Sequence, residues 1–154
     1  LKAPGARVWR DTSRKSWHLP IETRSFPSQV MRFIPTLVHG IIDYVAAVAF
    51  FFAPEIFGFA DGPGSAVAIS RLLGVLSAIY SVATDYELGL IKLLPMHTHL
   101  AIDYVVALAF LASPFVLGFS NGPMHQWLPH IGAGIFAAVV TTCSRSGPSR
   151  GAAA

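Results

Sequence analysis

Four apolar runs dominate the chain, over residues 33–53, 66–84, 94–113 and 128–143. Runs of this length approach the roughly 20 residues that a helix needs to cross a hydrocarbon layer of ~30 Å. The breaks between them are polar and rich in turn residues. Asp61-Gly62-Pro63-Gly64 and Asn121-Gly122-Pro123 are turns. Asp85-Tyr86-Glu87-Leu88-Gly89 suits a headgroup surface, and Gly147-Pro148-Ser149-Arg150-Gly151 opens a loose tail. The pattern predicts an all-α membrane protein with four helices.

The runs are not independent of one another. Arg32-Phe33-Ile34-Pro35 returns 60 residues later as Lys92-Leu93-Leu94-Pro95, and His39-Gly40-Ile41-Ile42-Asp43-Tyr44-Val45 returns as His99-Leu100-Ala101-Ile102-Asp103-Tyr104-Val105. Pro54, Gly58, Phe59, Gly62 and Pro63 return as Pro114, Gly118, Phe119, Gly122 and Pro123, and Gly74 faces Gly134 in the same register. The expected architecture is a membrane four-helix bundle of two tandem helical-hairpin repeats, over 31–90 and 91–146. An even number of spans per repeat makes both cross in the same sense, about an axis along the membrane normal.

Charge sharpens this picture. Only 12% of residues are charged, against about 25% in soluble domains. Asp103 is the only Asp, Glu, Lys or Arg between Lys92 and Arg145. The net charge is +3, and six of the eleven basic residues (Lys2, Arg7, Arg10, Arg14, Lys15, Arg24) lie in the first 24. Residues 1–30 read as a basic leader, either disordered or upstream of a natural start at Met31, and residues 147–154 as a flexible tail. Arg32, Lys92, Arg145 and Arg150 fall on one side of the layer; the opposite loops hold Glu55 and Asp61 before Arg71, and no Lys or Arg over 114–127. The positive-inside rule then places both termini in the cytoplasm. The single cysteine, Cys143, allows no intrachain disulfide and reads as a packing residue.

The segment Ser113-Pro114-Phe115-Val116-Leu117-Gly118-Phe119 carries a Pro-x-x-x-Gly-Phe motif that also occurs from Pro54 to Phe59. With Met31-Arg32-Phe33-Ile34-Pro35, the linker Thr84-Asp85-Tyr86-Glu87-Leu88-Gly89 and Pro95-Met96, it resembles the SPW repeat membrane proteins over Met31 to about Arg145. The tryptophan of that motif is Phe115 here, and the first unit reads Ala53-Pro54-Glu55. The resemblance implies a multi-pass protein of the bacterial cytoplasmic membrane. It implies no particular activity.

The candidate site is polar and intramembrane. His39 and Asp43 are four residues apart and share a helix face, as do His99 and Asp103. Counted at ~1.5 Å per residue from Arg32, Asp43 lies ~16 Å deep, near the middle of the layer. A carboxylate there costs about 2.5–3.5 kcal/mol, so a partner is required, and the histidine one turn away is the expected one. Tyr44 and Tyr104 are expected to extend this network. The leading reading is a structural or interaction protein, not an enzyme, whose His–Asp pairs dock the hairpins. A proton- or cation-coupled transporter or channel subunit is the first alternative. A b-type haem held by His39 and His99 is the second.

The remaining polar residues read as background. His97 is expected at the interface, and His125 and His130 beside Trp127 in an aromatic belt. No nucleophile triad, phosphate-cradling loop or zinc spacing is present, so no catalytic residue, metal site or cofactor is expected. The expected partners are the lipid bilayer and a second copy or another membrane protein, with no nucleic acid.

Overall fold

The computed structural model describes residues 32–147. The basic leader over 1–30 and all but the first residue of the expected tail lie outside these residues. Five helices follow in order: α1 (Thr36–Phe51), α2 (Ala53–Ile56), α3 (Gly64–Ala83), α4 (Met96–Val116) and α5 (Met124–Cys143). There is no β-strand among the described residues. Two helices, Gly64–Ala83 and Met96–Val116, are long and apolar enough to cross a membrane.

Five helices appear instead of four because the first apolar run is interrupted at Phe52. The cause lies in a proline and its neighbour. Pro114 sits inside α4 and offers no N–H to the Phe110 carbonyl. The Ser113 hydroxyl donates to that carbonyl instead, at 2.9 Å. Pro54 creates the same vacancy, but the residue before it is Ala53. Without a hydroxyl the helix breaks and restarts for one turn. Taken together, α1 and α2 span 36–56, and α4 spans 96–116, offset by the repeat length.

Both runs stop in the same way. Gly58 and Gly118 take φ of +71° and +74°, the left-handed cap that glycine adopts without strain. The next amide reaches back five residues, Phe59 to the Pro54 carbonyl at 2.8 Å and Phe119 to the Pro114 carbonyl at 2.9 Å. Phe59 and Phe119 are then buried. The Pro-x-x-x-Gly-Phe motif is therefore a helix stop with an apolar anchor.

α1 packs along α3, α5 along α4, and α3 along α4. Close approach is set by glycine. A Cβ at Gly74 would meet the Ala47 carbonyl oxygen at 2.8 Å and the Phe51 nitrogen at 2.7 Å, and one at Gly134 would meet the Ala107 carbonyl oxygen at 2.7 Å. At the other end, two isolated parallel bridges tie the segments that enter and leave the helices: Ile34 to Ser144, and Leu94 to Thr84. Their hydrogen bonds match at a 60-residue offset. The Ile34 amide donates to Cys143 and the Leu94 amide to Ala83, at 2.9 and 2.8 Å.

Among the described residues the interior is mixed, fourteen hydrophobic residues beside a polar set, and the surface is strongly apolar. Twelve buried residues are polar or charged, among them His39, His99, Asp103, His130, Ser70 and Thr141. Meanwhile Ile41, Val45 and Val48 on α1, Leu72 and Ile79 on α3, Val105 and Leu108 on α4, and Ile135 and Val139 on α5 are exposed.

Candidate functional site

His39 and His99 occupy the second turn of α1 and α4, each four residues before its aspartate. The packing of the helices turns both pairs inward to one point. The two imidazole Nε2 atoms are 3.2 Å apart, with the rings at 76° to each other. His39 Nε2 lies 3.3 Å from Asp43 Oδ1 and 3.2 Å from Asp103 Oδ2. His99 Nε2 lies 3.0 Å from Asp43 Oδ2 and 3.4 Å from Asp103 Oδ2. Each histidine thus meets the aspartate of its own helix and that of the other.

The far nitrogen of each ring is held by a hydroxyl. His39 Nδ1 is 2.6 Å from Ser144 Oγ, and His99 Nδ1 is 2.7 Å from Thr84 Oγ1. Both hydroxyls already donate to the carbonyl four residues back, Ser144 to Val140 at 2.7 Å and Thr84 to Tyr80 at 2.6 Å. A hydroxyl has one hydrogen. It is committed to the carbonyl, so the hydroxyl accepts from the ring and Nδ1 carries the proton. A neutral ring then turns its Nε2 lone pair to the centre, whereas a charged His39 donates from Nε2 to Asp103 Oδ2 at 3.2 Å.

The carboxylates are held unequally. Asp103 accepts from Tyr80 Oη at 2.7 Å and from Thr141 Oγ1 at 3.4 Å. Asp43 Oδ2 is buried and makes no aligned hydrogen bond, although His99 Nε2 is close by. Beside the four groups is a cavity of roughly 30 Å³, lined by Asp43, Asp103, Tyr80, Ser77 and Thr141 among apolar neighbours. The linker closes the end of the site. Tyr86 lies against Gly40, where any Cβ would run into its ring. Burial pushes the Tyr86 phenol above its ordinary pKa, and the Asp43 charge adds to the rise.

Several expectations need correction. Tyr44 and Tyr104 do not extend the network: Tyr44 donates to the Leu88 carbonyl at 3.1 Å and Tyr104 pairs with Thr142 at 3.0 Å on an exposed face. One residue along a helix turns the side chain about 100°, which carries both tyrosines off the polar face. Depth also changes. Arg32–Pro35 precede the first helical residue, so Asp43 and Asp103 lie seven residues into their helices, about 10 Å along the axis. The centre therefore occupies the first third of α4, toward the linker. A haem between His39 and His99 does not fit: the facing nitrogens and the carboxylates around them leave no slot for a porphyrin.

His97 and His125 are exposed, but His130 is not the interfacial residue expected. It is buried among Phe59, Phe110 and Phe119, with Nε2 at 3.1 Å from both Ser70 Oγ and the Ala66 carbonyl. Ser70 occupies the position equivalent to His130 in the first unit, so the repeat could have shown this pairing. Arg71 pairs with Glu55 and stands over the Phe51 ring at 5.8 Å. Asp61 is left aside.

The SPW repeat domain matches residues 37–144, well over half of the chain. The chain belongs to the SPW repeat family. No curated protein and no solved structure matches it. The matched region contains all four centre residues and the hydroxyls behind them. In this SPW repeat protein the tripeptide Ser113-Pro114-Phe115 has a readable role: the serine satisfies the carbonyl that the proline leaves open, and Phe115 points outward.

Proposed function

We propose that this SPW repeat protein is a four-span protein of the bacterial cytoplasmic membrane, built of two tandem helical hairpins (31–90 and 91–146). In this reading it is non-enzymatic, and its His–Asp centre docks one hairpin on the other. The observation that carries the membrane reading is the apolar surface around a partly polar interior, with histidine, aspartate and hydroxyls inside and large aliphatic residues outside. Water would penalise such a surface heavily, whereas lipid does not. Helices 36–56, 64–83, 96–116 and 124–143, paired at a 60-residue offset, support the two hairpins.

Both termini are assigned to the cytoplasm. Arg32 and Arg145 lie together, with the Arg145 Nε donating to the Arg32 carbonyl at 3.2 Å. Lys92 is at the same end of the helices, while the acidic Glu55 and Asp61 are at the other. The docking role rests on the centre being shared: neither hairpin alone supplies both aspartates to either histidine. The partners of such a protein are the bilayer and, through its exposed faces, a second copy or another membrane protein.

The cavity lined by Asp43 and Asp103 favours one second reading, proton or cation passage. A single experiment separates the two. The native protein and the Asp43→Asn plus Asp103→Asn variant are reconstituted in liposomes and assayed for folding and for proton flux. Loss of folding with no flux in the native protein supports docking. Retained folding with abolished flux supports passage.

A further inference from the structure

We propose that His39, Asp43, His99 and Asp103 bind one divalent first-row transition-metal ion, with Zn²⁺ the ion whose geometry they fit. The proposal rests on the shared centre described above and adds a ligand to it.

The four donor atoms lie within 4.8 Å of one another. Between the two Nε2 atoms, and from each to an oxygen of either aspartate, the spacings run from 3.0 to 3.4 Å, with Asp43 presenting Oδ1 to His39 and Oδ2 to His99. Bonds of ~2.0–2.2 Å to a tetrahedral Zn²⁺ place neighbouring donors about 3.3–3.6 Å apart. One charged ring beside one neutral ring satisfies part of the centre, with His39 Nε2 donating to Asp103 Oδ2 at 3.2 Å, but leaves Asp43 Oδ2 unserved. With both Nδ1 atoms protonated, two neutral rings point lone pairs at each other across 3.2 Å. Two charged rings would instead oppose two N–H groups. Asp43 Oδ2 stands 3.0 Å from His99 Nε2 without an aligned hydrogen bond. A metal ion among the four groups would use Asp43 Oδ2 and both Nε2 lone pairs at once.

Charge and surroundings agree. Two carboxylates and two neutral imidazoles carry two negative charges, which a divalent cation cancels inside a low-dielectric layer. The Ser144 and Thr84 hydroxyls fix each imidazole in the tautomer that leaves Nε2 free, the usual support of a metal-bound histidine. Tyr80 and Thr141 orient Asp103. Two imidazole nitrogens favour a first-row transition ion over Ca²⁺ or Mg²⁺. The adjacent cavity has room for a water as a further ligand.

The test uses the full chain, purified in detergent without a polyhistidine tag and stripped with a chelator. Zn²⁺ alone is titrated calorimetrically, and Co²⁺ in parallel, because tetrahedral Co²⁺ absorbs strongly in the visible. One ion per chain and a tetrahedral cobalt spectrum are expected. Binding should weaken at least ~100-fold in Asp43→Asn and His99→Gln, and ~10–100-fold in Thr84→Val, which touches no metal. It should be unchanged in His125→Ala. If Asp43→Asn does not fold, judged by helical circular dichroism, Thr84→Val carries the comparison. A folded native chain that takes up neither ion overturns the metal site. So does native-strength binding in the folded centre variants, which would mark adventitious binding. Neither result touches the docking role, which fails separately if the Asp43→Asn plus Asp103→Asn variant is as stable as the native protein.

Discussion

Asp43 and Asp103 hold matching places 60 residues apart in the sequence, yet they are held differently. Asp103 has two hydroxyl donors, Tyr80 and Thr141. At the positions 60 residues away that would serve Asp43, Tyr80 is matched by Val140 and Thr141 by Ser81. Val140 cannot donate, and the buried Ser81 hydroxyl has no partner. One carboxylate is anchored from behind; the other is held only by what lies at the centre. The helices show the same asymmetry. α3 packs along α4, but α1 and α5 have no comparable contact. An apolar groove of about 620 Å³ lies between them, lined by Ile42, Ala46, Phe50, Pro129, Ala133 and Phe136. Tyr80 packs against Leu73, Val106 and Phe110 between α3 and α4, and the smaller, buried Val140 lines the small cavity beside the centre. The 60-residue register supplies matched histidines and aspartates, and the differences Tyr80/Val140 and Thr141/Ser81 leave one carboxylate with two hydroxyl donors and the other with none.

Substitutions can break this comparison. The largest effect is expected at the anchored carboxylate. Asp103→Ala strands two histidines and two hydroxyls, and should cost about 3–5 kcal/mol in reversible unfolding from detergent. Asp43→Ala should cost about half as much, since no hydroxyl is stranded. Equal losses would mean that the asymmetry has no energetic weight. Next comes helix approach. Gly74→Ala drives a methyl into backbone on two sides, whereas at Gly134 one of the two obstacles is the Leu111 side chain. Overpacking should cost about 2–3 kcal/mol at Gly74 and about 1 kcal/mol at Gly134, read from the same unfolding curves.

Tyr80→Phe removes a single hydrogen bond to a carboxylate and should cost about 1.5 kcal/mol. In the same assay Val140→Phe, in the equivalent place, loses no such bond. The smallest effect tests the helix break. Ala53→Ser supplies the hydroxyl that Ser113 supplies in the second unit, and should join α1 to α2 with a gain of about 0.5–1 kcal/mol. Slower amide exchange around Phe52 and Ala53 would register it.

Much of this organisation could be read from the residues, and the failures have physical reasons. The spacing of four between histidine and aspartate fixes a shared face, and the 60-residue register brings two such faces into one protein. Spacing alone could not show that all four groups meet, because that depends on how two helices dock. Thr84 and Ser144 carried a usable signal as hydroxyl residues at equivalent positions, each just after a long helix, although Thr84 precedes its histidine by 15 residues and Ser144 follows its own by 105. Tyr80 carried none, since its equivalent is Val140 and its helix is not that of the aspartate it holds. Tyr44 and Tyr104 were misplaced because adjacency in sequence is not adjacency on a helix. Motif rules describe groups on one segment, whereas these four come from two helices 60 residues apart. The interruption at Phe52 turned on one side chain, Ala53 in place of Ser.

The most direct measurement is a double-mutant cycle between His39 and Asp103, which lie on different helices in different repeats and are 3.2 Å apart. Stabilities of the native protein, His39→Ala, Asp103→Ala and the double variant, in one detergent, give their coupling. A shared centre predicts a coupling of at least about 1 kcal/mol. Losses that simply add, to within about 0.5 kcal/mol, would contradict it and leave two separate His–Asp pairs.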